Sequence, residues 1–120
     1  MTDAFRARVA AICNALPGAV VSDPWGGGHD AWKVEGKMFA CIGAVAEGVS
    51  VKCPDVETAE MLKQAGGALH APYFHKSWVR LPEEVGPDEL EHRITISYDL
   101  VRAKLPAAVR RGLPARMAQV

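Results

Sequence analysis

The segment that decides the fold reads Ala71-Pro72-Tyr73-Phe74-His75-Lys76-Ser77-Trp78-Val79-Arg80-Leu81. It holds three aromatic residues, one His, one Lys and one Arg, and none of its residues carries a carboxylate. Aromatic rings stack on flat groups and these cations pair with phosphates or carboxylates, so the composition predicts a recognition surface. The last residues alternate as in a β-strand, which places Trp78 and Arg80 on one face and Val79 and Leu81 on the other.

Length and composition indicate one ordinary globular domain. The chain has 120 residues, of which 49% are hydrophobic and 23% are charged. Such a chain buries a core without disulfides or metals, so we predict one domain over residues 1–106 and a basic C-terminal tail over residues 107–120. Uncharged stretches are too short to span a bilayer and the N-terminus lacks a signal-peptide pattern, which predicts a cytoplasmic protein without membrane contact.

Charge and cysteine content bear on the partners that the protein could attract and on the state of its thiols. Fourteen basic and fourteen acidic residues cancel, so no overall field attracts nucleic acid or an anionic membrane, and any such attraction must be local. An acidic run over residues 83–91 and a basic last quarter are explained by solvated helix faces or by a binding patch. The three cysteines are odd in number and widely spaced, which is typical of reduced, buried thiols.

Hydrophobic periodicity predicts an α+β fold. We expect helices over residues 2–16, 54–65 and 87–105, and strands over residues 19–22, 31–34, 37–43, 49–53 and 77–81. The Glu35-Gly36 pair predicts a two-residue hairpin turn. This order predicts a two-layer sandwich, in which helices cover one face of an antiparallel sheet and the other face stays partly open.

Two further local predictions concern one strand of the sheet and one glycine-rich loop. In the strand over residues 37–43 we expect Met38, Ala40 and Ile42 on one face and Phe39 and Cys41 on the other. The loop that contains Gly26-Gly27-Gly28 lacks the Lys and the following helix of a phosphate-binding loop. It is either a mobile flap beside a pocket or a plain surface turn.

Several runs resemble the MmcQ/YjbR family: Phe39-Ala40-Cys41-Ile42, Val49 to Pro54, Tyr73 to Leu81, Ser97 to Val101, the Leu16-Pro17-Gly18 helix stop and Lys37 to Ala40. The resemblance covers about residues 5–106, and Lys76, Trp78, Ser97 and Tyr98 are its more specific marks. It implies a compact domain related to the CyaY (frataxin) fold. It also implies a DNA-binding role in which β-hairpins form a double wing.

The first functional hypothesis is a DNA-binding module. Its contact residues would be Lys33, Lys37, Lys76, Trp78 and Arg80, because an indole can stack on a base while the cations meet phosphates. Trp78 could equally be a core anchor packed under a helix, since large aromatic residues are common in both settings.

The second hypothesis is a pocket for a small molecule or anionic ligand, formed by Trp25, His29, Tyr73, His75 and Tyr98. We expect the ring of Tyr98 to pack on the sheet and its hydroxyl to meet His75 or Lys76. A third hypothesis is a protein-interaction domain without catalysis, and the sequence leaves the oligomeric state open.

Catalytic and metal-binding patterns are missing from the sequence. It has no Gly-x-Ser-x-Gly elbow, His-Glu-x-x-His motif or dinucleotide fingerprint, so we predict no catalytic residues, no enzymatic activity and no cofactor. His70 and His75 have no closely spaced partner ligand, so we predict no metal site.

Overall fold

The computed structural model describes residues 2–45 and 47–115. Its helices are α1 Asp3–Asn14, α2 Val56–Gln64, α3 Pro87–Ala103 and α4 Ala107–Arg111. Its strands are β1 Ala19–Ser22, β2 Asp30–Val34, β3 Lys37–Ile42, β4 Val49–Lys52, β5 Leu69–His70 and β6 Trp78–Leu81. The predicted helices and strands are therefore confirmed within a few residues at each end.

The six strands form one sheet in the order β1-β2-β3-β4-β6-β5, and all neighbours are antiparallel. Helix α3 lies on β2, β3 and β4, while α1 contacts α3 and β1, and α2 contacts β6. This confirms the predicted α+β sandwich with helices on one face of the sheet. Strand β5 was not predicted, because a strand of two residues is too short to show a hydrophobic period.

We call the sheet face under the helices the inner face. Its core includes the rings of Phe39 and Tyr98, whose centroids lie 5.3 Å apart in an edge-to-face contact. The predicted stripe is buried as expected: Leu90, Ile94, Ser97, Tyr98 and Val101 lie on α3, and Leu105 lies just after the helix. Ile94 to Ile96 favour a strand locally, but burial of the α3 stripe on the sheet outweighs that preference.

One hairpin turn and one β-bulge explain the path of β2 and β3. Glu35 (φ 48°) and Gly36 (φ 78°) form the predicted hairpin turn, and Val34 pairs with Lys37 across it. A β-bulge follows, since Lys33 pairs with Met38 but Trp32 pairs with Ala40.

The bulge corrects the predicted faces of β3. Because one extra residue is inserted, Phe39 joins Ala40 and Ile42 on the inner face, while Met38 and Cys41 face the opposite side. The expected grouping of Met38 with Ala40 and Ile42 was therefore wrong. Strict alternation cannot reveal a bulge, which shifts every later residue by one position.

The described part of the predicted tail folds back on the domain. Leu113 packs against the core beside Gly18, and Arg102 Nη2 donates a hydrogen bond of 2.8 Å to the carbonyl oxygen of Pro114. Residues 116–120 lie outside the described part of the chain. Over residues 2–45 and 47–115, no helix has both the length and the apolar character that crossing a membrane would require.

Candidate ligand-binding site on the outer face of the sheet

We call the side of the sheet opposite the helices the outer face. The strand register aligns three of its residues in a row, since Cys41 pairs with Ser50 and Ser50 pairs with Arg80. Their neighbours on the same strands point inward, so this row is the floor on which a ligand can rest. Cys41 and Ser50 are buried, although helix α3 lies on the opposite face of these strands.

A cavity of about 740 Å³ lies above that row, and we call it the outer cavity. Three loops build its walls: the loop after β1, the loop between β3 and β4, and the loop between β5 and β6. It is lined by Trp25, His29, Met38, Cys41, Gly43, Ala44, Val45, Gly48, Ser50, Pro72, Tyr73, Phe74 and Arg80. Three of the five residues predicted for the ligand pocket, Trp25, His29 and Tyr73, therefore lie together.

The glycine-rich loop is a hydrogen-bonded turn. The carboxylate of Asp23 accepts hydrogen bonds from the backbone N–H groups of Gly28 (3.0 Å) and His29 (3.2 Å). The Gly28 bond is the main reason that the pKa of Asp23 lies below its usual value. Arg6 pairs with Asp30 at 2.9 Å and donates to the Gly28 carbonyl, which ties the loop to α1.

Two rings of this loop meet at the cavity wall. The centroids of Trp25 and His29 are 5.1 Å apart in an edge contact. His29 Nδ1 lies 2.9 Å from the carbonyl oxygen of Gly26, and because a carbonyl only accepts, Nδ1 carries a proton. The imidazole is thereby fixed in orientation beside the indole.

The loop between β5 and β6 forms the opposite wall. Phe74 stacks on Trp78 with centroids 4.5 Å apart and planes 21° apart. Trp78 is half-buried, so it is neither the sealed core anchor nor a fully exposed ring. His75 Nδ1 accepts from the Ser77 backbone N–H at 3.1 Å and lies 2.9 Å from its hydroxyl. His75 is thus engaged within the loop and does not line the cavity.

Arg80 is the permanently charged side chain at the floor. Its Nε donates to the carbonyl oxygen of His70 at 3.1 Å, and its Nη1 donates to that of Glu47 at 2.6 Å. Carbonyl oxygens orient the guanidinium but carry no formal charge. None of the ion pairs between described residues includes Arg80. The geometry therefore offers an oriented cation within an apolar, aromatic surface.

Cys41 forms part of the floor of the cavity, but its thiol is not a reactive nucleophile. Burial, and to a lesser degree the charge of Asp30, raises the pKa of its thiol to about 11. A thiol with that pKa is protonated near neutral pH and is a poor nucleophile. All three cysteines are free and buried, as predicted. In the described part of the chain, no three His, Cys, Asp or Glu side chains gather closely enough to hold a metal ion.

Comparison with known proteins gives the family of this chain and a solved structure with a similar fold. A sequence model of the YjbR family matches residues 14–100, which is well over half of the chain. The chain belongs to the YjbR family. The crystal structure of protein DR2400 from Deinococcus radiodurans, which carries a DUF419 domain, is similar with a TM-score of 0.76. The two sequences are 24% identical, and the match covers 86% of this chain and 83% of that one, which shows a shared fold. Among curated proteins, no match was found.

In this YjbR protein, two of the residues that mark the family resemblance, Ser97 and Tyr98, pack against the inner face. The Ser97 hydroxyl donates to the carbonyl oxygen of Phe39 at 2.6 Å and accepts from the backbone N–H of Lys52 at 2.8 Å, so it joins β3 to β4. The Tyr98 hydroxyl donates to the carbonyl oxygen of Pro17 at 2.5 Å and accepts from Arg102 at 3.0 Å.

These contacts correct two expectations for Tyr98. Its hydroxyl was expected to meet His75 or Lys76, and its partners are instead Pro17 and Arg102. Its ring was expected in the ligand pocket, but it is fully buried on the inner face and cannot contact a ligand in the outer cavity. Helical spacing placed Tyr98 on the sheet correctly, but it could not identify the partner of the hydroxyl.

The residues predicted to contact DNA divide among three places. Lys33, Trp78 and Arg80 belong to the outer face, since Lys33 pairs with the cavity residue Met38. Lys37 is exposed beside the hairpin turn. Lys76 is exposed near α2, where its charge adds to the hydrogen bond of Lys63 in lowering the pKa of Glu60.

The register also gives the outer face a distinct charge. Among the described strand residues, none that the register assigns to this face is acidic, and three are Lys or Arg. The assigned residues are Val20, Ser22, Ala31, Lys33, Met38, Cys41, Ser50, Lys52, Leu69, Trp78 and Arg80. In a chain of zero net charge, the strand residues of the outer face thus include cations and no carboxylates, while Asp23 and Asp30 lie at its edge.

Sequence reasoning missed the floor and one wall of the cavity. Met38, Cys41 and Ser50 are ordinary residues whose only signal is alternation with buried neighbours, and the bulge in β3 disguised even that. The wall formed by Gly43, Ala44, Val45 and Gly48 consists of residues without polar side chains, whose contribution depends on the path of the backbone.

Proposed function

We propose that the protein binds a small ligand that combines an aromatic ring with an anionic group, and that the outer cavity is its binding site. The observation that carries this proposal is Arg80, which is oriented by two carbonyl oxygens at the floor of a cavity with an aromatic rim. Arg pairs readily with carboxylate, sulfonate or phosphate groups, and aromatic walls favour flat rings.

Cavity size and lining support a small-molecule site. Ligand sites usually measure about 300–1,000 Å³ and combine mostly apolar walls with a few fixed polar groups. The outer cavity, at about 740 Å³, lies within that range. Its fixed polar groups are the guanidinium of Arg80 and the imidazole of His29, each already oriented by the protein. Such pre-orientation lowers the entropic cost of binding.

Exposed hydrophobic side chains also concentrate here. Trp25, Val45 and Tyr73 line the cavity although each is largely exposed, and Leu69 lies beside Arg80 on the edge strand. Exposed apolar groups that cluster around one concave surface favour a binding function over chance exposure. The protonated thiol of Cys41 favours binding over nucleophilic catalysis.

A pair of dyes tests the proposal. Anilinonaphthalene sulfonate is a flat aromatic anion, and phenyl-naphthylamine has similar rings without the charge. We expect saturable fluorescence titration by both dyes. The Arg80→Gln variant should bind the sulfonate about tenfold more weakly and the neutral dye almost unchanged, because only the sulfonate uses the guanidinium.

Arg110→Gln on α4 is the matched control, since it makes the same change in net charge away from the cavity. It should leave both affinities unchanged. Cooperative thermal unfolding of each variant shows that the dyes report a folded protein. Equal sulfonate affinity in the wild type and in Arg80→Gln would reject Arg80 as the anion site.

A second candidate function is binding of DNA, and the acid-free outer strand residues favour it. Lys33, Lys52 and Arg80 could meet phosphates while Trp78 or Trp25 contacts a base. We expect a fluorescent duplex to bind at low salt and to lose roughly 40-fold in affinity for a fourfold increase in salt, as about three phosphate contacts would require.

Variants separate the two candidates. Lys33→Ala and Arg80→Glu should both weaken DNA binding, whereas only Arg80→Glu should weaken the sulfonate dye, because Lys33 does not line the cavity. A duplex that fails to bind even at low salt would end the DNA candidate and leave the cavity proposal standing. For location we propose the cytoplasm, where the three buried free thiols would stay reduced.

A further inference from the structure

Tyr73 has a backbone conformation that L-residues rarely adopt. Its φ is 71°, and Glu35 is the one other non-glycine residue in the described chain with a positive φ. Glu35 is explained by the two-residue hairpin turn, in which positive φ matches the twist of the strands. Tyr73 lies in the longer loop between β5 and β6, outside any two-residue hairpin turn.

The local turn makes tyrosine an unfavourable choice. The Phe74 N–H donates to the carbonyl oxygen of Ala71 at 3.4 Å, which closes a four-residue turn with Pro72 second and Tyr73 third. A turn with Pro second and a positive φ third is of type II, where Gly or Asn is preferred in the third position. This chain uses Gly at seven other described positions of positive φ.

No contact within the described protein offsets that strain. The Tyr73 side chain is fully exposed, and no described residue makes a hydrogen bond or ring contact with it. Its neighbour Phe74 is anchored by stacking on Trp78, so the turn itself is held in place. The result is an unsupported aromatic ring at the rim of the outer cavity. Strained residues of this kind cluster at functional sites, which include the parts of a protein that hold a ligand.

We propose that Tyr73 is a specificity-determining residue that stacks on the ring of the bound ligand and selects aromatic anions over aliphatic ones. The inference rests on the proposed function of the outer cavity. A flat face gains from a second flat ring through offset stacking, whereas a flexible chain gains less and loses conformational freedom. An aromatic contact of this kind corresponds to about a three- to tenfold change in affinity.

Calorimetric titration with two sulfonates tests the role of Tyr73. Naphthalene sulfonate supplies a flat ring, and octane sulfonate supplies a flexible chain with the same charged group. The wild type should prefer the aromatic sulfonate. Tyr73→Asn, which suits the turn but lacks the ring, should bind the aromatic sulfonate about three- to tenfold more weakly and the aliphatic one almost unchanged. Tyr73→Phe should retain the preference.

Thermal unfolding supplies a readout that does not depend on ligand. Because Asn tolerates positive φ better than Tyr, Tyr73→Asn should melt at the same temperature as the wild type or up to about 5 °C higher. Weaker aromatic binding in a variant of equal or greater stability is the expected combination, and a misfolded variant could not produce it.

The failures can be told apart. Tyr73→Asn that keeps the wild-type preference for the aromatic sulfonate overturns the role of Tyr73 while the cavity proposal survives. Equal weakening of both sulfonates also overturns it, since the ring would then select nothing. A wild-type protein that binds neither sulfonate overturns both this inference and the proposed function.

Discussion

The two faces of the sheet use neighbouring residues of the same strands for different purposes. On β6, Val79 and Leu81 are almost completely buried on the inner face, whereas Trp78 and Arg80 lie on the outer face. The inner face is covered by helices, and its hydroxyl groups on Ser97 and Tyr98 are hydrogen-bonded to backbone carbonyls. On the outer face, three loops and the strands enclose a cavity.

The contrast between the faces shows that the residues of the family resemblance include some that stabilise the fold and some that form a surface. Ser97 and Tyr98 fix how α3 packs on β3, on β4 and on the segment that follows α1, so a stability requirement accounts for both. Trp78 and Arg80 support a surface that faces solvent. If the comparison is right, inner-face variants change unfolding free energy and outer-face variants change ligand affinity.

The largest effect should come from Tyr98→Ala. Removing a fully buried ring that contacts Phe39 should lower the unfolding free energy by about 3–5 kcal/mol, because the core cannot fill the space. Urea denaturation measures this loss. Tyr98→Phe keeps the ring and should cost only about 1 kcal/mol for the lost hydroxyl contacts. A change in dye affinity for the folded Tyr98→Phe protein would break the separation of the two faces.

Gly48→Ala should have the next largest effect, and it marks where the outer rim does contribute stability. Gly48 has φ 101°, and an added Cβ would overlap the carbonyl oxygen of Leu81. Strain and overlap together should cost about 3 kcal/mol in urea denaturation. Gly27→Ala is the matched control, since its φ is 85° but no atom lies within 4 Å of its Cβ position. It should cost about 1 kcal/mol, and similar losses for both would contradict the packing argument.

Two buried serines, Ser97 and Ser50, allow the same substitution to be compared on the two faces. Ser97→Ala leaves the Phe39 carbonyl and the Lys52 N–H without their partner, which should cost about 1–3 kcal/mol. Ser50→Ala makes the same change on the outer face, where no described residue forms a hydrogen bond with the Ser50 hydroxyl. We expect its unfolding free energy to change by less than about 0.5 kcal/mol. Equal losses would show that burial alone, rather than bridging of two strands, explains the role of Ser97.

The smallest effect concerns acid and the glycine-rich loop. The pKa of Asp23 is lowered in the folded protein, mainly by the Gly28 N–H and also by His29. Its carboxylate therefore stabilises the loop at pH values above the usual carboxyl pKa of about 3.9, and this stabilisation is lost as pH falls through the lower folded value.

The amide resonance of Gly28 should report that titration by NMR, and the Asp23→Asn variant should not show it. Sulfonate affinity should fall over the same range, because the loop carries Trp25 and His29. A Gly28 resonance that titrates at or above the usual carboxyl pKa would contradict the hydrogen-bonded turn.

Much of the fold could be read from local signals. The turn at Glu35-Gly36, the stop at Pro17-Gly18 and the stripe of α3 depend on nearby residues, and each was confirmed. The bulge in β3 was missed, because it depends on how β2 and β3 pair rather than on either strand alone.

The candidate site was predictable only in part. Trp25, His29 and Tyr73 stood out as aromatic or titratable residues in loops, and the structure brings them together. His75 and Tyr98 carried the same kind of signal and lie elsewhere. Residue type indicates what a side chain can bind, but the face and the loop path decide whether it reaches the site.

Local sequence accounts for the order of the elements, for the family resemblance and for the supply of rings and cations, because these follow from short-range periodicity, turn chemistry and composition. Which of these residues meet depends on how the strands pair. Strand register aligned Cys41, Ser50 and Arg80 into one row, and the bulge turned Phe39 toward the core and Cys41 toward the cavity. Such contacts join residues that are distant along the chain, so the hydrogen bonds between strands fix them and local preference does not.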